Sequence, residues 1–224
     1  MSQRDITSMR STVDFLKEEK EVLVVKGEVN PIYEISGIQK ALEGGPAVFF
    51  EKLRGYPNVM DIGNVFARPD RIAKIFGVGE AKEVKFKFLE AIKNPVPPKI
   101  VDNPPCQEVV ITENIDVLAT IPIIKHSEGD VDRVLGGGNS FLSGHYFRGG
   151  MNITFNRMRF RGKDWATLQA APGSHLEKVF TIEFRKERIP LTINICTSPA
   201  VNMMAGGGMI HAVIPPGANE AAIA

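Results

Sequence analysis

Gly149-Gly150-Met151-Asn152-Ile153-Thr154-Phe155-Asn156-Arg157-Met158-Arg159-Phe160 is the stretch on which the fold turns. Its β-branched, aromatic and apolar residues predict a strand. Two residues do not suit a plain core strand: Asn152 and Arg157 stand where Val or Ile would be expected. A carboxamide and a guanidinium placed there need partners, because a buried polar group without one costs roughly 2–7 kcal/mol. Residues five apart also point to opposite faces of a regular strand. If both side chains serve one ligand, either the strand is bulged between them or the ligand wraps its edge.

Working outward, short β-type runs at 107–112, 144–148, 165–170 and 190–196 surround this stretch, with Gly or Pro between them. A helix over 175–187 interrupts them, with Leu176, Val179, Phe180 and Ile182 as its apolar side. An antiparallel barrel with an inserted helix fits this pattern. Upstream the pattern alternates instead. A helix capped by Ser11 or Thr12 leads into a strand at 22–26, and Asn30-Pro31 opens a helix over 32–42 that Gly44-Gly45 ends. Strands at 46–53 and 58–62 follow, then a short helix from Pro69 to Phe76 and a charged amphipathic one over 80–93. Between the halves, residues 95–105 hold five prolines, a run that can neither continue a helix nor pair fully in a sheet. The fold class is therefore α+β: an α/β domain at 1–93, a proline-rich connector at 94–105 and a β-rich domain at 106–224.

Composition narrows the function. The 224 residues carry 27 basic and 26 acidic side chains, a formal charge of +1. So balanced a chain has no field to gather nucleic acid or an anionic membrane surface. No run approaches the ~20 apolar residues of a membrane helix, and the polar start Met-Ser-Gln-Arg-Asp shows no secretory signal. Cys106 and Cys196 lie far apart without a CxxC, which favours reduced thiols in a cytoplasmic protein. Near the end, Asn219 reads as the N-cap of a helix with only five residues after it. A helix that short does not stand alone, so the expectation is the front part of a longer protein.

Polar groups that could carry chemistry fall in few places. Asn152 and Arg157 are on the strand, and Pro172-Gly173-Ser174-His175 sets an imidazole at the first turn of a helix. Glu220 opens the last one, where a carboxylate complements the helix dipole. A carboxamide, an imidazole and a carboxylate form a mixed ligand set that suits Mn²⁺ or Mg²⁺ better than structural zinc. A hard cation with open positions commonly takes phosphate oxygens. Plainer roles stand beside this one: His175 as a capping residue, Glu220 as a surface acid, Arg157 in an ion pair. Gly136-Gly137-Gly138 and Gly206-Gly207-Gly208 lack the Lys-Ser/Thr of a phosphate loop and read as turns. His126 to Asp130 reads as a solvated loop, and His145 and Asp164 have no evident partner.

Pro122-Ile123-Ile124-Lys125-His126 with Gly129-Asp130, then Asn152 and Arg157, then Pro172-Gly173-Ser174-His175, then residues 214–220 occur in an order that resembles the UbiD family. These are the prenylated-FMN-dependent (de)carboxylases, and the resemblance covers essentially the whole chain. It implies an N-terminal α/β domain followed by a split β-barrel of the flavin-reductase type, here incomplete at the C-terminus. It implies Asn152, His175 and Glu220 as ligands of Mn²⁺ (or Mg²⁺) holding the phosphate of prenylated FMN, often beside K⁺. Arg157 matches an arginine that lies against the flavin and pairs with an active-site glutamate, the family's two acids lying further along the chain. Thr154, Phe155, Ser174 and the backbone around 210–212 match cofactor-contacting positions.

The activity so implied is reversible, non-oxidative decarboxylation of an aromatic or α,β-unsaturated carboxylic acid, with CO₂ as the other partner. A homo-oligomer, or a subunit of a larger carboxylase, is expected. Two alternatives remain at this point: a non-catalytic assembly subunit, and a plain FMN-binding split-barrel protein.

Overall fold

The computed structural model describes residues 4–143, 150–183, 188–207, 214 and 218–224. The strand expected at 144–148, with His145, lies outside the described residues, as do 208, 210–212 and 215–217.

The first half alternates as its pattern demands. It runs α1 (Met9–Glu18), β1 (Val22–Val29), α2 (Glu34–Ala41), β2 (Ala47–Leu53), β3 (Asp61–Gly63), α3 (Pro69–Phe76) and α4 (Val84–Lys93), with a 3₁₀ turn at Ala81–Glu83 before α4. β1 and β2 pair in parallel across α2, and β3 adds antiparallel to β2. The cap of α1 is Ser8, not Ser11 or Thr12. Ser8 Oγ accepts from Ser11 N, and the Ser8 backbone N–H donates to Ser11 Oγ, a capping box that moves the start forward. Thr12 is fully buried and its hydroxyl donates back to Ser8 O at 2.7 Å. α3 begins with Pro69 in its first turn and ends at Gly77, whose φ of 61° is the left-handed stop that glycine adopts without strain. Leu16, Ile75 and Phe76 pack one side of the sheet, and Ile35, Val48 and Phe50 form a second cluster.

Residues 96–101 are exposed and carry no regular structure. The strand expected at 107–112 is not there. A 3₁₀ turn at Pro105–Gln107 is followed by exposed Val109, Val110 and Ile111, which find no partner strand among the described residues. β-propensity without a neighbour to pair with does not make a strand. After the short α5 (Val117–Thr120), capped by the Asp116 side chain, the chain returns to the first half. There Lys125 N donates to Pro31 O and Tyr33 N to Lys125 O. The Tyr56 hydroxyl donates to Leu118 O and accepts from Arg133 Nη1.

The second half holds β4 (Val134–Leu135), β5 (Asn139–Ser143), β6 (Met151–Phe155), β7 (Arg157–Phe160), β8 (Ala166–Gln169), α6 (His175–Lys178), β9 (Thr192–Asn194), α7 (Pro199–Gly207) and α8 (Glu220–Ile223). The expected helix over 175–187 is α6 continued by a π-type turn at Val179–Glu183. Strands 165–170 and 190–196 shorten to β8 and β9. Two antiparallel three-stranded sheets result, β4-β7-β8 and β6-β5-β9. The single strand expected over 151–160 is thus two. It breaks at Asn156, and its halves pair in different sheets.

α7 was not foreseen from the sequence. It packs Met204 and Ala205 against Ile153, Ile214 and Ile223, and Phe88 and Ile92 of α4 close the same core. The first half therefore supports the last helix directly. Gly207 is small for a reason: a Cβ there would meet the Phe88 ring at 2.9 Å.

Candidate functional site

Among the described residues β6 is an edge strand, paired only with β5. Its outward backbone donors, Met151 N and Ile153 N, are therefore left for another partner. The start of α8 supplies it. Asn219 Oδ1 accepts from Met151 N at 3.1 Å, and Glu220 Oε2 accepts from Ile153 N at 2.6 Å. Asn219 does occupy the N-cap position, but its side chain caps the strand edge rather than the helix.

On this edge three residues far apart in sequence converge. Asn152 Nδ2 donates to Glu220 Oε2 at 2.8 Å, and His175 Nδ1 lies 3.3 Å from Glu220 Oε1. Asn152 is 2 % exposed, His175 6 % and Glu220 1 %. The surface-acid reading of Glu220 is therefore wrong: it is among the most deeply buried side chains described. His175 is not the helix cap either. Ser174 is, its Oγ accepting from Glu177 N at 3.2 Å, with Gly173 at φ 78° turning the chain into it. That cap is what fixes the imidazole one residue later, over the carboxylate.

The Glu220 carboxylate is an acceptor, so it turns the Asn152 amide to present Nδ2. Oδ1 is then buried with no protein partner. An orphaned carboxamide oxygen beside an imidazole and a carboxylate is the arrangement a hard cation would complete. The residues present fit a Mn²⁺ or Mg²⁺ ion. No group of three or more His, Cys, Asp or Glu gathers among the described residues, because the third donor here is an amide.

The remaining expected site residues divide. Thr154 is half-buried and, two residues on, shares the face of Asn152. Phe155 is on the other face, packed against the Ile153–Met204 core. Arg157 begins β7 in the other sheet, is exposed, and makes no ion pair among the described residues. It lines a cavity of about 520 Å³ together with His126, Asp130, Asp132, Gly136 and Arg159. Neither Asn152, His175 nor Glu220 lines that cavity. The break at Asn156 is what separates the two side chains. The Asn156 amide is 5 % exposed; it donates to Gln169 O at 3.3 Å, and its Oδ1 is without a partner.

In the His126–Asp130 loop, Asp130 Oδ2 accepts from the backbone of His126 and Ser127. The Ser127 bond first, and that to His126, hold its carboxyl below the usual range. This loop is exposed at His126, in keeping with a solvated turn whose one side borders the Arg157 cavity.

Comparison with known proteins gives the family and the fold. The family model for the 3-octaprenyl-4-hydroxybenzoate carboxy-lyase N-terminal domain matches residues 13–87, and that for the Rift-related domain of the same carboxy-lyase matches 99–224. A phenolic acid decarboxylase of Sedimentibacter hydroxybenzoicus is 27 % identical over 214 residues, covering 88 % of this chain and 44 % of that protein. A gallate decarboxylase of Lactiplantibacillus plantarum is 26 % identical, covering 96 % and 47 %. Among solved structures, an evolved dimeric form of the UbiD-class enzyme HmfF from Pelotomaculum thermopropionicum, in complex with prFMN, superposes with a TM-score of 0.82 at 27 % identity, covering 89 % of this chain and 46 % of that one. The chain spans about half the length of the relatives it matches.

Proposed function

The chain belongs to the UbiD family of carboxy-lyases, and from that premise we propose that it provides the cofactor-binding part of a prenylated-FMN-dependent (de)carboxylase. The proposed reaction is non-oxidative, reversible exchange of CO₂ on an aromatic or α,β-unsaturated carboxylic acid. The observation that carries it is the buried meeting of Asn152, His175 and Glu220 with one amide oxygen left over. The decarboxylases among its relatives and the prFMN complex of a neighbour support it.

In this reading Asn152 Oδ1, the His175 ring and the Glu220 carboxylate would hold Mn²⁺ (or Mg²⁺), which with K⁺ would supply positive charge for the flavin phosphate. Thr154, on the same face as Asn152, and Ser174 border the cofactor; Phe155 acts through the core behind it. Prenylated FMN, when bound, supplies the electron sink that cleavage of a carbon–carboxylate bond requires. What the chain adds is orientation and charge. Arg157, exposed in its cavity, offers a permanent cation and paired N–H donors to the substrate carboxylate. The resemblance gives delivery of the proton that replaces CO₂ to an active-site glutamate rather than to Arg157. The two second-half sheets are proposed as a split barrel, with the connector at 94–105 dividing it from the first domain. A cytoplasmic location and a homo-oligomeric or multi-subunit state complete the proposal; among the described residues no helix is long and apolar enough to cross a membrane.

The test is reconstitution with prenylated FMN, Mn²⁺ and K⁺, read as CO₂ release from a panel of aromatic and acrylic acids. Asn152→Ala and His175→Ala are expected to lower both metal and flavin content. Full occupancy in both variants removes the metal assignment. Arg157→Ala is expected to retain flavin and lose turnover, and normal turnover would take Arg157 out of the mechanism.

A further inference from the structure

Between the two halves lies a cavity of about 640 Å³, apart from the Asn152–His175–Glu220 cluster. One wall comes from β3 and the loop after it, the other from residues 121–126, 134–137 and the turn after β9. Its surface is largely apolar, with Ile62, Val65, Ile123, Leu135 and Ile195 among the lining residues. A volume of that size is within the range of small-molecule sites, which favour domain boundaries and apolar walls with few polar groups.

Two features mark this cavity as more than a packing gap. The first is Asp61, at the start of β3, whose Oδ2 is buried without a partner. The second is Cys196, which faces it from the turn after β9 at φ 58°, a conformation uncommon for a residue with a side chain. We propose that this cleft binds a small, mostly apolar molecule carrying one hydrogen-bond donor, such as a phenolic hydroxyl, with the Asp61 carboxyl as its acceptor.

The chemistry selects among occupants. Burial pushes the Asp61 carboxyl above its usual range, opposed by a hydrogen bond from the Ile62 backbone. The cleft is largely apolar and offers one orphaned oxygen, so a neutral donor, which brings no charge to desolvate, suits it better than an ammonium or a guanidinium. Cys196 is exposed, and partial desolvation first, then its neighbour Asp61, raise its thiol, so it alkylates slowly rather than standing ready as a thiolate. The cavity shares His126, Val134 and Gly136 with the Arg157 cavity as common wall residues. The inference does not depend on the decarboxylase reading.

Phenol is the probe and toluene, which lacks the donor, its control, in calorimetric titration of the protein without flavin or metal. Phenol should bind about tenfold more tightly than toluene, the advantage one buried hydrogen bond gives. Asp61→Val should abolish that difference while toluene still binds. Equal affinities in the unaltered protein, or a ratio that survives Asp61→Val, overturn the proposal and leave Asp61 satisfied by water. Location is read separately in a Cys106→Ser background, where saturating phenol should slow alkylation of Cys196 by iodoacetamide. Unchanged alkylation places phenol elsewhere and sinks the site. Ile195→Trp, altering a wall residue that is 40 % exposed, should exclude both ligands while the protein melts normally; undiminished binding would likewise refute it.

Discussion

Two buried polar clusters of this molecule look alike and do different things. In the first half, Arg71 is fully buried, and its guanidinium donates to Gly45 O, Asn64 O and Glu21 Oε2. Glu21 in turn takes Lys74 at 2.7 Å and Arg68 at 3.4 Å. Neither Glu21 nor Arg71 has a buried polar atom without a partner. In the second half, Glu220 is as deeply buried, but its cluster leaves the Asn152 oxygen unsatisfied. A closed cluster holds the fold together and asks for nothing more. An open one is built for something that completes it.

The largest effect expected is on the closed cluster. Arg71→Ala strands two carbonyls and part of Glu21, and breaking such a buried pair costs about 3–5 kcal/mol. Denaturant unfolding measures it, and metal affinity at Asn152 should not change beyond what partial unfolding explains. Next comes Glu220→Gln, which keeps the shape but removes the charge. Metal affinity should fall by more than the roughly 10–100-fold that changes to outer-shell groups cause, and equilibrium dialysis against Mn²⁺ decides. If Glu220→Gln instead costs stability and leaves metal affinity alone, the two clusters are of one kind. Third, Gly207→Ala crowds the Phe88 ring, and overpacking of this sort costs roughly 1–3 kcal/mol. Phe88→Leu should recover most of the loss if that contact is its cause.

The smallest effect is on pH dependence. The Lys74 hydrogen bond foremost, with Arg71 and Arg68, holds the Glu21 carboxyl below its ordinary 4.5. The unfolded chain therefore takes up the proton first as pH falls, and the stability Glu21 contributes is present above its ordinary value and lost below it. Thermal melts from pH 7 to pH 3 should show a steeper decline for the unaltered protein than for Glu21→Gln. Parallel curves would mean that the closed cluster owes nothing to its charge.

Much of this was readable in advance, and what was not has physical reasons. Asn152 announced itself as a polar residue in an apolar strand, and Gly173-Ser174-His175 as a turn into a helix, though its cap is Ser174. The break at Asn156 was hidden, because residues 151–160 read as one continuous run. It is partner strands, β5 on one side and β4 and β8 on the other, that divide it. α7 was missed because Gly206-Gly207-Gly208 reads as a turn. Burial of Met204 and Ala205, and Ser198 Oγ accepting from Val201 N, hold it helical. The closed cluster did leave a trace: Arg68, Arg71 and Lys74 recur every three residues, a basic stripe along α3 and the residue before it that needed an acid to face it. Asp61 left none, since its burial depends on the second half coming back over β3.

The seam between β6 and the start of α8 has a kinetic corollary. The Met151 and Ile153 amide protons are held by side chains 68 and 67 residues away. Their exchange with solvent deuterium therefore runs at the pace at which the last helix lifts off the strand. Two amides on an otherwise open edge thus act as a clock for the site, slowing whenever Glu220 is pinned in place.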